Sequence, residues 1–288
     1  MVHYHCLKKM RRRCVGSFLS NLDQEETPSP RYYNGQLELN ICPELSLAEQ
    51  NFQCAECSAE LAGFGESRLC DYTGQYFCSL CHWGSSNLPS PARIIHNWDF
   101  SARPMCQAAI QYLQLVMRRP LVNLVLTNPS LPAVVQEVAA IVRQRHQLLS
   151  MKKYLLVCRI AGEEKRLLTL LQDRQHFVDS PHMFSLQDMI DINSGVLSQY
   201  LQSKLETFKQ HITSCMLCLA KSFVCEICTG QDKECLFPFD EGVEVCGECE
   251  AVFHRDCFRS LLSCPRCDRK KEKREASSAT KVFTVDIN

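Results

Sequence analysis

Cys215-Met-Leu-Cys218, Cys225-Glu-Ile-Cys228, Cys246-Gly-Glu-Cys249, His254-Arg-Asp-Cys257 and Cys264-Pro-Arg-Cys267 follow one another in a single run. Each pair is separated by two residues, the spacing that lets both side chains of a tight turn reach one tetrahedral ion. One such pair is ambiguous, because Cys-x-x-Cys also serves as a redox motif. Five in succession point to zinc. In a cross-brace arrangement the first and third pairs of a set share one ion, and the second and fourth share another. Applied to the last four pairs, this assigns Cys225, Cys228, His254 and Cys257 to one zinc and Cys246, Cys249, Cys264 and Cys267 to a second. Sites filled by four protein ligands keep no position for activating water, so both are read as structural rather than catalytic. Interleaved sites also brace a module that has little room for an apolar core, and metal binding then becomes part of its folding free energy.

The leftover pair, Cys215 and Cys218, needs two further ligands. Cys70, His82 and Cys235 are the candidates by residue type. A second cysteine cluster supplies the first two. Cys54/Cys57 and Cys78/Cys81 flank Arg68-Leu-Cys70-Asp-Tyr72-Thr-Gly74-Gln-Tyr76-Phe77, which predicts one four-cysteine zinc site around a hairpin turning near Thr73-Gly74. Cys70 is left over there, either as a ligand or as a buried free thiol behaving as a small apolar residue. The total is three to four structural zinc ions.

Composition narrows the setting. The chain has 288 residues, 20 cysteines, and 32 basic against 32 acidic side chains. A disulfide scaffold suits chains too small to bury a core, and this one is not small. The basic start, with Lys8, Lys9, Arg11, Arg12 and Arg13, is not followed by an apolar run of signal-peptide length, and no stretch reaches the length of a spanning helix. Metal-bound thiolates in a reducing, cytoplasmic setting are therefore expected. Balanced charge exerts no global pull toward nucleic acid or a membrane.

Residues 1–44 read as a flexible basic and polar leader, 45–90 as an N-terminal zinc module, 91–210 as helical, and 211–270 as a C-terminal zinc module. The fold class expected is mainly α, with small zinc-stabilised α+β modules at both ends. A helix should open near Pro104 and stop near Pro120. A long one should follow Pro132, with Val134, Val138, Ile141, Arg145, Leu148, Lys152 and Leu155 recurring at spacings of three and four. Gly162 should interrupt before a helix containing Leu167, Leu168, Leu170 and Leu171. Ser185-Leu-Gln-Asp188 predicts a capping box, with Asp in place of the usual Glu, opening a helix that stops near Gly195. Another helix should deliver the chain to Cys215. The tail, 271–288, is charged and then Ser-rich, and reads as a solvated helix end in preference to a basic lipid- or nucleic-acid-binding arm.

Spacing alone leaves several zinc families open. Cys264-Pro-Arg-Cys267 looks like the end of a RING ligase, but a RING has fewer cysteines ahead of its histidine. A histone-reading PHD finger shares the ligand order, yet Leu261 and Leu262 stand where its aromatic belongs. A FYVE lipid finger would show a basic run before Cys246, where this chain reads Asp240-Glu-Gly-Val-Glu-Val245.

Longer motifs decide between them. Arg68 through His82, Pro91-Ala-Arg-Ile-Ile-His-Asn-Trp98-Asp99-Phe100, His211 through Cys228, Leu236-Phe-Pro-Phe239 and Phe253-His254-Arg-Asp-Cys257-Phe258 resemble the signatures of the Rubicon homology domain. The resemblance covers about residues 45–270. Two departures are Ser222 in place of a common glycine, and a step to Cys264 lengthened by Leu261-Leu262. The RUN and pleckstrin-homology domains of larger relatives are not seen, which implies the homology domain nearly alone. The resemblance implies a non-enzymatic adaptor that binds a GTP-loaded late-endosomal Rab GTPase. It also implies other autophagy or tethering proteins as partners, a role in autophagosome maturation and endolysosomal traffic, and no nucleic-acid ligand. Localisation would be cytoplasmic and peripheral on late endosomes, lysosomes or autophagosomes, through the partner. The expected contact surface is helical, within 130–210. A RING-like ubiquitin ligase is the competing reading.

Overall fold

The computed structural model describes residues 37–61, 67–83, 88–163, 171–228 and 234–282, with side chains given outside 162–163, 172–173 and 276–282. The leader expected over 1–44 thus falls mostly outside it. In chain order the elements are β1 (Arg68–Leu69), β2 (Tyr76–Phe77), α1 (Pro91–Asn97), α2 (Gln107–Val116), β3 (Val122–Asn123), α3 (Leu124–Thr127), α4 (Leu131–Val134), α5 (Gln136–Val157), α6 (Arg159–Glu163), a 3-10 segment (Gln172–Val178), β4 (Met183–Phe184), α7 (Leu186–Asn193), α8 (Val196–Ser214), α9 (Met216–Leu219), β5 (Val243–Val245), β6 (Val252–His254), α10 (Arg255–Arg259) and α11 (Pro265–Val282). The described part is mostly helical, with three two-stranded antiparallel sheets, β1–β2, β3–β4 and β5–β6.

The chain forms two compact units, one from Met1–Ile141 and His182–Ser198, the other from Val142–Pro181 and Gln199–Asn288. In the first, Arg68 pairs with Phe77 and Leu69 with Tyr76 across the predicted hairpin. Gly74 adopts φ +69° there, and a Cβ at that position would lie 2.1 Å from the Pro43 carbonyl oxygen. Only glycine accepts both conditions. Arg93 of α1 grips Asp71 at the hairpin with Nε donating at 2.8 and 2.9 Å and Nη2 at 2.6 Å. Ile94, Met105, Leu113 and Val122 are fully buried in this unit. The capping box is present, with Ser185 Oγ accepting from Asp188 N at 3.1 Å and Asp188 Oδ2 accepting from Ser185 N at 2.9 Å. The helix it opens ends at Asn193, just before Gly195, which takes φ +76°.

The long helix predicted after Pro132 is split. Val134 ends α4 and is exposed, and α5 begins only at Gln136. From Val138 onward the stripe is buried as the spacing requires, through Ile141, Leu148 and Leu155. Arg145, the cation that the spacing places on that stripe, is fully buried there. Its Nη2 donates to the His176 and Ser180 carbonyls, and its guanidinium lies 4.4 Å from the Phe177 ring centre. Those partners offset part of the cost of burying the cation.

The break expected at Gly162 falls at Cys158, between α5 and α6, and Gly162 lies within α6. Leu167, Leu168 and Leu170 lie outside the described residues, while Leu171 is buried. At the other end, α11 continues helical through the Ser-rich stretch to Val282.

Candidate metal centres

In the C-terminal part, β5–β6 and α10 pack into a module whose buried core counts eight residues: Leu236, Ala251, Val252, Phe253 and the cysteines 225, 246, 264 and 267. Half of that core is cysteine. Four buried apolar side chains, with Phe223, Ile227, Val243 and Phe258 packed half-buried against them, make a small core for a module of this length, and metal cross-linking through the thiols would supplement it.

Four groups of ligand atoms gather among the described residues, each with all its atoms within 4.8 Å of one another: Cys54/Cys57/Cys78/Cys81, Cys158/His211/Cys215/Cys218, Cys225/Cys228/His254/Cys257, and Cys246/Cys249/Cys264/Cys267. Zinc–sulfur bonds of roughly 2.3 Å arranged tetrahedrally require sulfur–sulfur edges of about 3.8 Å, and a sulfur–nitrogen edge is slightly shorter. The observed edges match. Cys57–Cys78 and Cys246–Cys267 are 3.7 Å apart and Cys249–Cys264 3.6 Å. His254 Nδ1 lies 3.6 Å from Cys228 Sγ and 3.9 Å from Cys257 Sγ. All these cysteines are free thiols. Four soft donors at tetrahedral edge distances can hold a metal ion of zinc's kind, and each set is closed.

Local backbone prepares some of the thiols. The Cys246 thiol is drawn down to about 7 by the backbone N–H of Cys249 and then of Glu248, against burial. Burial opposes the Cys225 thiolate, but backbone N–H groups of Cys228, His254 and Ile227 outweigh it and hold the thiol at about 6. Within each turn the two-residue spacer places backbone donors around the first sulfur, and at Cys225 the distant His254 N–H adds to them, favouring the ligand form.

The pair left incomplete by spacing, Cys215/Cys218, is completed by Cys158 and His211. Cys158 Sγ lies 3.7 Å from Cys215 Sγ and 3.5 Å from His211 Nε2, and Cys218 Sγ lies 3.8 Å from that nitrogen. His211 stands one turn before Cys215 at the end of α8, so the i,i+4 geometry of a helix puts both on one face. That spacing was visible in the chain; the contribution of Cys158, far back in sequence, was not. At the α5–α6 break the Cys158 sulfur also accepts from Ala161 N at 3.5 Å.

The three residues proposed from sequence as completers sit elsewhere. Cys70 starts the β1–β2 turn, with Thr73 N and Gly74 N donating to its carbonyl, and its sulfur accepts from Cys106 N at 3.2 Å. The hydrogen bond from the Cys106 side chain, against burial, lowers the Cys70 thiol to about 6, while that same bond and burial push Cys106 up. His82 is fully buried, with Nε2 3.1 Å from the Leu69 carbonyl oxygen. Cys235 is exposed and lines a groove of about 830 Å³, together with Gln147, Met151, Leu205, Lys209 and Phe239. Its Phe239 wall is supported by stacking on Phe237, and both rings meet Tyr154 edge-on.

A family model, the Rubicon Homology Domain, matches residues 68–272, and that span holds three of the four groups whole together with Cys78 and Cys81. The chain belongs to the Rubicon homology domain family. Two relatives bear on its extent. A Drosophila melanogaster protein titled "Differentially expressed in FDCP 8 homolog" is 39% identical over 278 residues, which is 95% of this chain and 54% of that protein. A Caenorhabditis elegans protein of the same title is 36% identical over 283 residues, 95% of this chain and 56% of that one. The chain thus spans about half the length of these curated relatives. No described helix of this Rubicon homology domain protein is long and apolar enough to cross a membrane.

Proposed function

We propose that the chain is a zinc-stabilised adaptor that binds a late-endosomal Rab GTPase in its GTP form and regulates autophagosome maturation and endolysosomal traffic. The observation that carries this reading is membership in the Rubicon homology family over residues 68–272. The four closed ligand groups support it by their chemistry. In this reading they hold four zinc ions, on Cys54, Cys57, Cys78 and Cys81; on Cys158, His211, Cys215 and Cys218; on Cys225, Cys228, His254 and Cys257; and on Cys246, Cys249, Cys264 and Cys267. Closed sets scaffold a surface and supply no reactive water, so the role is recognition rather than catalysis. The homology domain occupies 45–270, with zinc modules at 45–90 and 211–270 about a helical region. The chain works in the cytoplasm, held at late endosomes, lysosomes or autophagosomes by its partner and accompanied by other tethering proteins.

The groove beside Met151, Leu205, Lys209 and Phe239 combines apolar anchors with charge, the composition that recognises a folded protein surface. The test is a pull-down of the zinc-loaded chain on late-endosomal Rab loaded with a GTP analogue or with GDP. Retention on the GTP form alone is expected, and equal retention on both rejects the reading.

A further inference from the structure

Leu261 and Leu262 form the tip of the loop between α10 and α11. Leu262 is as exposed as a leucine can be, at 108%, and Leu261 is 40% exposed. Hydrogen bonds hold the loop on both sides of the tip. Leu261 N donates to the Phe258 carbonyl at 3.1 Å, Ser260 Oγ to the Cys257 carbonyl at 2.7 Å, and Ser263 Oγ to Asp268 Oδ2 at 2.5 Å. Cys257 and Cys264, on either side, belong to two different ligand groups. An apolar tip clamped outward between two cross-links is a display, and water is a poor solvent for what it displays.

The helix that follows carries the complementary feature. Between 265 and 275 stand six cations, Arg266, Arg269, Lys270, Lys271, Lys273 and Arg274, against three acids, in a chain whose formal net charge is zero. Residues 269–275 are exposed throughout. Arg269 pairs with Glu226, and Arg259 of α10 pairs with Glu244 at 3.5 Å, so these two charges are compensated on the module and the rest of the run carries the excess.

A nucleic acid would use the cations but has nothing to offer two outward leucines. A bilayer with anionic headgroups uses both: leucine enters the headgroup–acyl boundary, and lysine and arginine stay among the phosphates. We propose that the Leu261–Leu262 tip and the basic first turns of α11 form a docking surface for anionic lipid bilayers. The contact is direct and does not depend on the Rab reading, in which the partner holds the chain at the membrane.

The test is flotation of the full zinc-loaded chain with vesicles of phosphatidylcholine alone or of phosphatidylcholine with phosphatidylserine. The chain is expected to float with the phosphatidylserine vesicles only, and less so as salt rises. K270Q/K271Q should lower partitioning roughly 30-fold, the effect of two cations at an anionic surface. L261S/L262S should lower it roughly tenfold or more, with zinc content, thermal midpoint and Rab binding unchanged. Rab binding that persists in this variant while flotation is lost separates the two proposals. The inference is overturned if the native chain stays off phosphatidylserine vesicles or binds both kinds equally. It is also overturned if L261S/L262S floats like the native chain, or if single-stranded RNA displaces the chain from vesicles with the leucines dispensable.

Discussion

Replacing Cys158 with serine separates a metal ligand from a buried thiol. As a mere packing residue, Cys158 is 3% exposed and its sulfur accepts only a long bond from Ala161 N beyond its group. Exchanging sulfur for oxygen there would cost about 1 kcal/mol, the ordinary effect of a single substitution, and would leave the metal content unchanged. As one of four ligands it matters more. A structural zinc site contributes apparent binding free energies of roughly 10–16 kcal/mol, so one ligand's share is about 2.5–4 kcal/mol. That is roughly 100- to 1,000-fold in zinc affinity. Serine offers no thiolate to recover it. The assay is zinc per chain by elemental analysis after dialysis against a chelator that the native protein withstands, followed by thermal unfolding. Four ions are expected in the native chain and three in C158S, with unfolding at lower temperature. Cys70→Ser should keep all four, since Cys70 faces Cys106 instead of a ligand group. A C158S protein that retains four ions through the dialysis would refute the reasoning.

The remaining expectations concern the frame. G74A should destabilise the first unit by about 3 kcal/mol or more, because it combines a positive-φ penalty with a clash on the Pro43 carbonyl; a thermal midpoint within a degree of native would count against this. R145L should cost about 1–3 kcal/mol by removing the guanidinium that donates to the Ser180 carbonyl, readable by chemical denaturation; the His176 carbonyl keeps its backbone donors, Asp179 N and Ser180 N. R93A, which strips Asp71 of a bidentate partner, should cost about 1–3 kcal/mol on the same measurement. Burial and then the Asp240 charge push the Tyr154 phenol up to about 12. A raised folded value means its contribution is whole below pH 10 and is lost as pH rises toward 12. Y154F should therefore flatten the alkaline limb of the stability curve relative to the native protein.

Much of the candidate site was legible because its signal is local. Pairs such as Cys246/Cys249 can close one turn on one ion whatever surrounds them, and the order of pairs implied the grouping that the structure brings together. The hairpin at Thr73–Gly74 and the Ser185–Asp188 capping box were legible for the same reason, since each is a contact between near neighbours in the chain. Reading failed where a residue's type permitted two fates. Arg145 is a cation that spacing put on an apolar stripe, and only the carbonyls of His176 and Ser180 show why it can stay there. Val134 fits the helical period but ends up exposed because the helix breaks at Val135.

By itself, the sequence determined the family, the mostly helical class and the two-residue grammar of the ligand pairs, all carried by short-range spacing. The tertiary structure alone decided which distant residues meet. It brought Cys158 and His211 to Cys215 and Cys218, turned Cys70 toward Cys106, and left Leu262 pointing outward between two ligand groups. Such meetings depend on how helices and turns pack over long loops. Ligand type sets which residues can share an ion; only the path of the chain sets which of them do.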